Sequence, residues 1–426
     1  MTADPTPATA SAASSTAALA AALDTADPLA AHTSRFVRVG DVVSYLDGNS
    51  LGRPLASLPE RFAGFVAGDW GERLIRSWDE RWMRRPYELG DRIGALIGAA
   101  AGQAFVGDST TVLLYKLVRA AVDAQRAADP ARDEIVIDDD NFPTDRYIVE
   151  GVAAERGMTI RWIQADPAAG VSLEQVREAV GERTALVLLS HVAYRSGFVA
   201  DVPGITAAAQ EAGALVLWDL CHSAGVIDAQ LDAAGADLAV GCTYKYLNGG
   251  PGSPAFGYVA TRHQGTLAQP IQGWMGAADV FAMGPRYEPA HGLARFVSGT
   301  PPVLATVALE AMLDAIDEVG IAAIRAKSIA LTDFAEQALA EHVLPHAAGG
   351  VQPRLASPPA GPHRGSHLTV THPSFRAVTE RLWARGVIPD FRAPDGIRIG
   401  LSPLSTTFAE VEFGIAALGE ELRRAS

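Results

Sequence analysis

The sequence predicts an α/β fold with a large domain, built on a mainly parallel sheet covered by helices, and a small C-terminal α+β domain. Three observations predict it. Between Glu134 and Trp218 short apolar runs alternate with helical stretches, the pattern of strands joined by crossover helices. After Pro301–Pro302 the pattern changes to long helical sequence. The chain's 426 residues, 48% hydrophobic and 20% charged, suit a globular protein of two or three domains.

Taken in order, residues 1–30 are rich in Ala, Thr, Ser and Pro. They offer little to bury and are expected to form a mobile tail, although a helix could begin at Ala18–Leu23. Residues 31–70 are expected to pack with the small domain, 71–302 to form the large domain and 303–426 the small one. Ile135–Ile137, Ile160–Ile163, Ala185–Leu189 and Leu215–Trp218 read as strands. Helices are expected near Thr144–Arg156, Leu173–Val180 and Ile205–Ala212. Leu238–Val240 and Ala255–Val259 add strands with no full helix between them. Val303–Ala340 reads as long helical sequence, with Leu309, Met312, Ala315 and Ile316 at three- and four-residue spacing. The Pro- and Gly-rich stretch Ala347–Gly365 reads as a loop, and His367–Val370, Val387–Ile388 and Ile397–Ile399 as strands.

Composition excludes several functions. The net charge is −14, from 49 acidic and 35 basic residues, and no Lys/Arg run tracks a phosphate backbone, so nucleic acid is not an expected partner. No apolar window approaches the roughly 20 residues of a membrane span. Lys and Arg are absent from the first 34 residues, which lack the positive start of a secretory signal. With only Cys221 and Cys242 a disulfide framework is not expected, and the reading is a cytoplasmic protein.

Lysine is scarce: Lys116, Lys245 and Lys327 are the only ones. Lys116 and Lys327 read as solvated surface charges. Lys245 stands in Gly241-Cys-Thr-Tyr-Lys-Tyr-Leu-Asn-Gly-Gly-Pro-Gly, just past a short strand and before glycines that allow close backbone approach to a ligand. Upstream, the strand Ala214–Trp218 ends in Asp219. A carboxylate there faces the crevice in which open α/β sheets bind ligands, and such an acid keeps the ring nitrogen of pyridoxal phosphate protonated. Capping of the next helix is the competing role for Asp219, as simple N-cap chemistry is for Ser109-Thr110-Thr111.

Trp218-Asp-Leu-Cys-His-Ser-Ala-Gly followed by the Lys245 segment resembles kynureninase, a fold-type I pyridoxal-phosphate-dependent, transferase-like family. Leu46-Asp-Gly-Asn-Ser-Leu-Gly, Asp108-Ser-Thr-Thr-Val, Asn141-Phe-Pro-Thr-Asp, Gln272-Gly-Trp-Met-Gly, Arg286-Tyr-Glu-Pro and Asp390-Phe-Arg-Ala-Pro-Asp-Gly-Ile-Arg agree, and the likeness runs from about Tyr45 to Glu412. The resemblance implies that the large domain binds pyridoxal 5′-phosphate, with Lys245 as its Schiff-base lysine. Thr110 and Thr111 would form the phosphate turn, where a helix N-terminus favours an anion. Phe142 would stack on the ring with Asp145 beside it. Ser190, Asp219, His222 and Tyr244 would be further cofactor contacts. Trp274 and Thr300 would reach the phosphate from a neighbouring subunit, implying a homodimer with active sites at the interface. Arg398 would clamp the substrate α-carboxylate with its planar fork, beside Asn49 and Ser50, and Trp78 and Gly299 would face the substrate ring.

The implied reaction is hydrolytic Cβ–Cγ cleavage of L-kynurenine to anthranilate and L-alanine, in tryptophan catabolism. Lys245, Asp219 and Tyr244 would be catalytic, and no metal is involved. Gly299 offers no group to pair with a ring hydroxyl and Trp78 a flat apolar wall, so kynurenine is expected to be preferred over its 3-hydroxy derivative. The chain departs from the family at Cys221, usually Ala, at Leu113, usually Asn, and at Ser405, usually Tyr. A cysteine desulfurase of the same fold would need a thiol on a C-terminal loop, and there is no Cys after Cys242. A non-catalytic cofactor binder would have little use for Lys245, Asp219 and Arg398 together.

Overall fold

The computed structural model describes residues 15–38 and 40–425. The chain opens with helix α1 (Ser15–Ala26), strand β1 (Ser44–Leu46), α2 (Leu58–Phe65) and α3 (Arg85–Leu96). An alternating series follows: β2 (Ala104–Gly107), α4 (Thr110–Ala128), β3 (Glu134–Asp138), α5 (Pro143–Arg156), β4 (Thr159–Ile163), α6 (Leu173–Ala179), β5 (Thr184–Ser190), α7 (Val202–Glu211), β6 (Leu215–Asp219), β7 (Leu238–Gly241) and β8 (Ala255–Val259). Local chemistry starts these helices where they start. Ser109 caps α4 by accepting from Val112 N, Asp201 caps α7 through Gly204 N, and Ser172 with Gln175 forms a reciprocal capping box on α6.

The large sheet has seven strands in the order β2-β8-β7-β6-β5-β3-β4. Only β8 runs against its neighbours, because no crossover helix separates it from β7. Strands β5 to β8 are almost wholly buried, which is why they read as unbroken apolar runs. The sequence reading missed β2. Its four residues, Ala104–Gly107, are too short to show a period, and tertiary burial defines them.

The expected long helix after Pro302 is two helices, α8 (Val307–Val319) and α9 (Ile321–His342), divided at Gly320 with φ 82°. Leu309, Met312 and Ile316 of α8 join the core of the large sheet, whereas Leu331, Phe334 and Leu339 of α9 join the core of the small domain. The handover therefore occurs inside α9, and a boundary at 302/303 falls too early. The remainder is β9 (Arg354–Leu355), β10 (His367–Thr371), α10 (Phe375–Ala384), β11 (Val387–Arg392), β12 (Gly396–Gly400) and α11 (Phe408–Arg423). The second sheet has the order β1-β11-β12-β10-β9. Its edge strand β1 comes from the chain's start, with Ser44 opposite Val387.

Two further expectations need correction. Residues 1–14 of the expected tail lie outside the described residues, but 15–26 form α1, which buries Thr16 and Ala20 and offers Asp24 to the backbone of Phe408 and Ala409 at the start of α11. Lys116 and Lys327 are not surface charges: they are 0% and 5% exposed, and each is paired at 2.6 Å, with Asp108 and Asp27 respectively. Sequence spacing carries no sign of pairs that only the folded chain assembles.

Candidate active site

Every strand of the large sheet except β8 points its carboxyl end to one edge. There the segments after β2, β3, β5, β6 and β7 converge, as expected for a ligand crevice in an open α/β sheet. Register does the fine placement: Ser190 lies opposite Asp219, and Asp219 opposite Val240. The turn after β7 then brings Lys245 back over this edge, held by Asn248 N donating to the Lys245 carbonyl at 3.0 Å.

Lys245 is half-buried. Its Nζ lies 3.0 Å from His222 Nε2 and 5.8 Å from the centre of the Phe142 ring. Burial and the nearby Lys245 and Arg398 charges hold the His222 imidazole neutral, well below the usual histidine range. His222 can therefore accept from the Lys245 amine. Asp219 accepts from Cys221 N at 2.7 Å. Desolvation, with Asp219 and Asp138 nearby, raises the wholly buried Asp145 carboxyl well above the usual carboxylate range. Ser190 Oγ donates to Asn141 Oδ1 at 3.0 Å. Burial, with Cys242, Cys221 and Asp219 nearby, raises the Tyr244 phenol far above its ordinary value, so its proton stays on.

The second half of the crevice comes from the small sheet and the β1 loop. Arg398, 1% exposed, donates through Nη1 to Tyr194 O at 2.7 Å, through Nη2 to Ser50 Oγ at 2.7 Å and to Asp390 at 2.8 Å, and through Nε to the Asn49 amide oxygen at 2.8 Å. A Cβ at Gly400 would overlap the Asn49 amide, so glycine is required where the loop crosses β12. The halves meet at three places. Arg398 Nη1 donates to Tyr194 O, whose ring packs edge-on to Phe142 at 5.4 Å; Gly52 N donates to Tyr244 O at 3.0 Å; and the His367 ring lies 5.3 Å from that of His222.

The fold thus brings together Lys245, Asp219, Tyr244, Phe142, Asp145, Ser190, His222, Arg398, Asn49 and Ser50. Thr110 and Thr111 open α4 at the same sheet edge. Trp274, Gly299, Thr300 and Trp78 stand apart: among the described residues no hydrogen bond, ion pair or ring contact joins them to the Lys245 cluster. Trp274 is 39% exposed and meets Phe281 edge-on. Trp78 packs at right angles on Trp82, against the cluster of Phe65, Val303 and Val307. Leu113, where the family usually has Asn, is 0% exposed and belongs to the core under the sheet. Ser405 is buried at the small-domain side, where Arg38 donates to its carbonyl at 2.7 Å.

Sequence reading missed Tyr194, His367, Asp47 and Asp390. Asp47 and Asp390 lie within segments that carry the resemblance, so there was a signal. Burial and Asp390 raise the Asp47 carboxyl to about 6. His367 gave none: only its register, two residues from Thr369, which lies opposite Arg398, puts it on the crevice face. The cluster fits pyridoxal phosphate. His222 Nδ1 and Asp145 Oδ2 are buried without a partner in the chain, as polar groups awaiting a planar, polar-edged ligand would be.

Comparison with known proteins agrees. The aminotransferase class-V family model matches residues 91–358, and the kynureninase C-terminal domain model matches 324–418. The chain is 43% identical over 411 residues to the kynureninase of Pseudomonas fluorescens, covering 95% of this chain and 94% of that one. The kynureninase of Burkholderia pseudomallei (strain 1106a) is 43% identical over 406 residues, with the same coverage. The chain belongs to the kynureninase family. That family's C-terminal model begins at residue 324, inside α9 where the core changes hands.

Solved structures share the fold at low identity. The apo cysteine desulfurase of Thermococcus onnurineus NA1 superposes with a TM-score of 0.76 at 18% identity, covering 89% of this chain and 95% of that one. The cystine C–S lyase C-DES, in complex with cysteine persulfide, gives 0.74 at 20% identity, covering 88% and 97%. Kynureninase-family membership thus separates this chain from fold relatives with desulfurase chemistry.

Proposed function

We propose that this kynureninase-family chain hydrolyses L-kynurenine to anthranilate and L-alanine with pyridoxal phosphate. The observation that carries the reading is the single crevice holding Lys245 on His222, Asp219 at the end of β6, and Arg398 held by Asn49, Ser50, Tyr194 and Asp390. When bound, pyridoxal phosphate supplies an electron sink for the pair released from a substrate bond. Lys245 would hold it covalently and, once freed, move the Cα proton, with neutral His222 as the neighbour that can share that proton. Asp219 would keep the ring nitrogen charged, and Asp145, whose raised carboxyl favours the neutral form, would lie beside it. Phe142 would cover one ring face, and the N-terminus of α4 at Thr110 and Thr111 would take the phosphate.

Arg398 would orient the substrate carboxylate. Its bonds to Tyr194 O, Ser50, Asp390 and Asn49 fix the plane of the guanidinium and leave one Nη1 hydrogen free. The Ser50 hydroxyl is the contact an incoming carboxylate can replace. Tyr244, proton retained, is the donor for the departing Cβ carbon. A second copy of the chain would complete the site: Trp274 and Thr300 would approach the neighbour's phosphate, and Trp78 and Gly299 its substrate ring. The exposed Phe281, Met283 and Leu304, at 61%, 76% and 46%, support such a covered face. The free, buried Cys221 and Cys242 suit a cytoplasmic setting. No described helix is long and apolar enough to cross a membrane.

The test is to mix purified protein with kynurenine and follow anthranilate fluorescence and alanine. One mole of each per mole of substrate is expected, and cofactor colour with neither product would reject the reading. Measured side by side, kcat/KM should favour kynurenine over 3-hydroxykynurenine by no more than about 10²-fold, as for an apolar pocket meeting an added hydroxyl. A clear preference for the hydroxylated substrate would overturn the roles given to Trp78 and Gly299.

A further inference from the structure

Lys116 is one of three lysines in the chain, it is 0% exposed, and the chemistry above does not use it. It lies in α4, and its side chain runs back toward the helix start, as helical side chains do. There Nζ donates to Asp108 Oδ2 at 2.6 Å and to the Phe296 carbonyl at 2.9 Å. Asp108 is the residue immediately before the Ser109-Thr110-Thr111 turn. It holds φ 49°, in the left-handed region that is uncommon outside glycine and that Asp enters more readily than most residues. Its carbonyl is pinned by Ala255 N at 3.1 Å, and its carboxylate by Lys116.

The second acceptor matters equally. Phe296 leads into Val297, Ser298, Gly299 and Thr300. The Ser298 carbonyl accepts from Met275 N at 3.2 Å, and a Cβ at Gly273 would overlap the Ser298 backbone, so the chain around Trp274 is laid directly on this segment. One buried ammonium therefore ties the turn that opens α4 to the segment bearing Gly299 and Thr300. It also offsets a carboxylate that would otherwise stand next to a bound phosphate dianion.

We infer that Lys116 is a positioning residue for cofactor phosphate: it fixes the left-handed Asp108 turn that aims the α4 N-terminus, and it neutralises Asp108 beside the anion. This rests on the pyridoxal-phosphate reading given above. A purely structural ion pair would support the protein equally for any ligand. A phosphate-positioning one would act only on ligands that carry the phosphate.

The test compares pyridoxal phosphate with phosphate-free pyridoxal, titrated by absorbance into the full-length protein after removal of cofactor. The unaltered chain should bind the phosphorylated form much more tightly. Lys116→Met should weaken pyridoxal phosphate by about ten-fold or more, the scale of losing a charge-assisted anchor at an anion site, and leave pyridoxal within about two-fold. Lys116→Met combined with Asp108→Asn removes the stranded buried charge and keeps the test available if the single variant does not fold. Because the turn is no longer pinned, its preference for the phosphorylated form should still fall below that of the unaltered chain. A folded variant of either kind that keeps the full preference overturns the inference. If the unaltered chain itself binds both forms alike, the phosphate-site reading fails instead.

Discussion

The crevice around Lys245 and the segments bearing Trp274, Thr300 and Trp78 were read from the same sequence resemblance, yet they have different fates in the folded chain. The first is assembled within one copy: five strand ends and the small sheet deliver its side chains to one crevice, with Lys245 Nζ 3.0 Å from His222 and Arg398 bonded to Ser50, Asp390 and Tyr194 O. The second is left open, with Trp274 39% exposed and Met283, in the same loop region, 76% exposed. The difference teaches which parts of a site topology can guarantee. Strand register fixes neighbours to within a residue, whereas a surface loop is positioned only by whatever covers it.

The strongest way to break the comparison is at its assembled half. Lys245→Ala should lower turnover by about 10⁴-fold, the upper range for a positioned proton-transfer group, and leave the fold intact, because a half-buried amine contributes little packing. A borohydride-reducible cofactor adduct surviving at another lysine would show that Lys245 is not the attachment point. Asp219→Ala should keep weak cofactor binding and lose about 10²–10³-fold in turnover, as when one preorganised electrostatic partner is removed. Near-normal rates would take Asp219 out of the chemistry.

The open half is tested by mixing. If Trp274 serves a neighbouring subunit, Lys245→Ala and Trp274→Ala proteins, each impaired alone, should recover roughly a quarter of the unaltered activity after subunits exchange, since half the dimers formed carry one intact site. No recovery, with exchange verified by mass, would place Trp274 outside the site. The smallest effect concerns acid. Burial and Arg325 lower His191, next to Ser190, from 6.5 to about 4. A histidine with a depressed value stabilises the fold fully above 6.5 and loses that contribution as pH falls through 4. The loss should reach roughly 3 kcal/mol, read from urea unfolding midpoints between pH 7 and 4. His191→Gln should flatten that slope, and an unchanged slope would mean that other groups carry the acid response.

Much of this protein was settled by the sequence. Apolar runs from Ile135 to Val259 marked six of the seven large-sheet strands: five are almost wholly buried and so need unbroken hydrophobic residues, while β4, at the sheet edge, is largely exposed. Lys245 and Asp219 were legible because each follows such a run. Arg398, Asn49 and Ser50 were legible as a group only through segment resemblance, since β1 and β12 lie far apart along the chain. Tertiary structure alone decided the rest. Lys116 and Lys327 read as surface charges because their partners, Asp108 and Asp27, are set by folding and by no local period. His367 reached the crevice through strand register, and α1 became part of the fold through helix packing that an alanine-rich stretch does not advertise. Long-range pairing is a property of the assembled core, and a single chain read residue by residue records its ingredients without recording which of them meet.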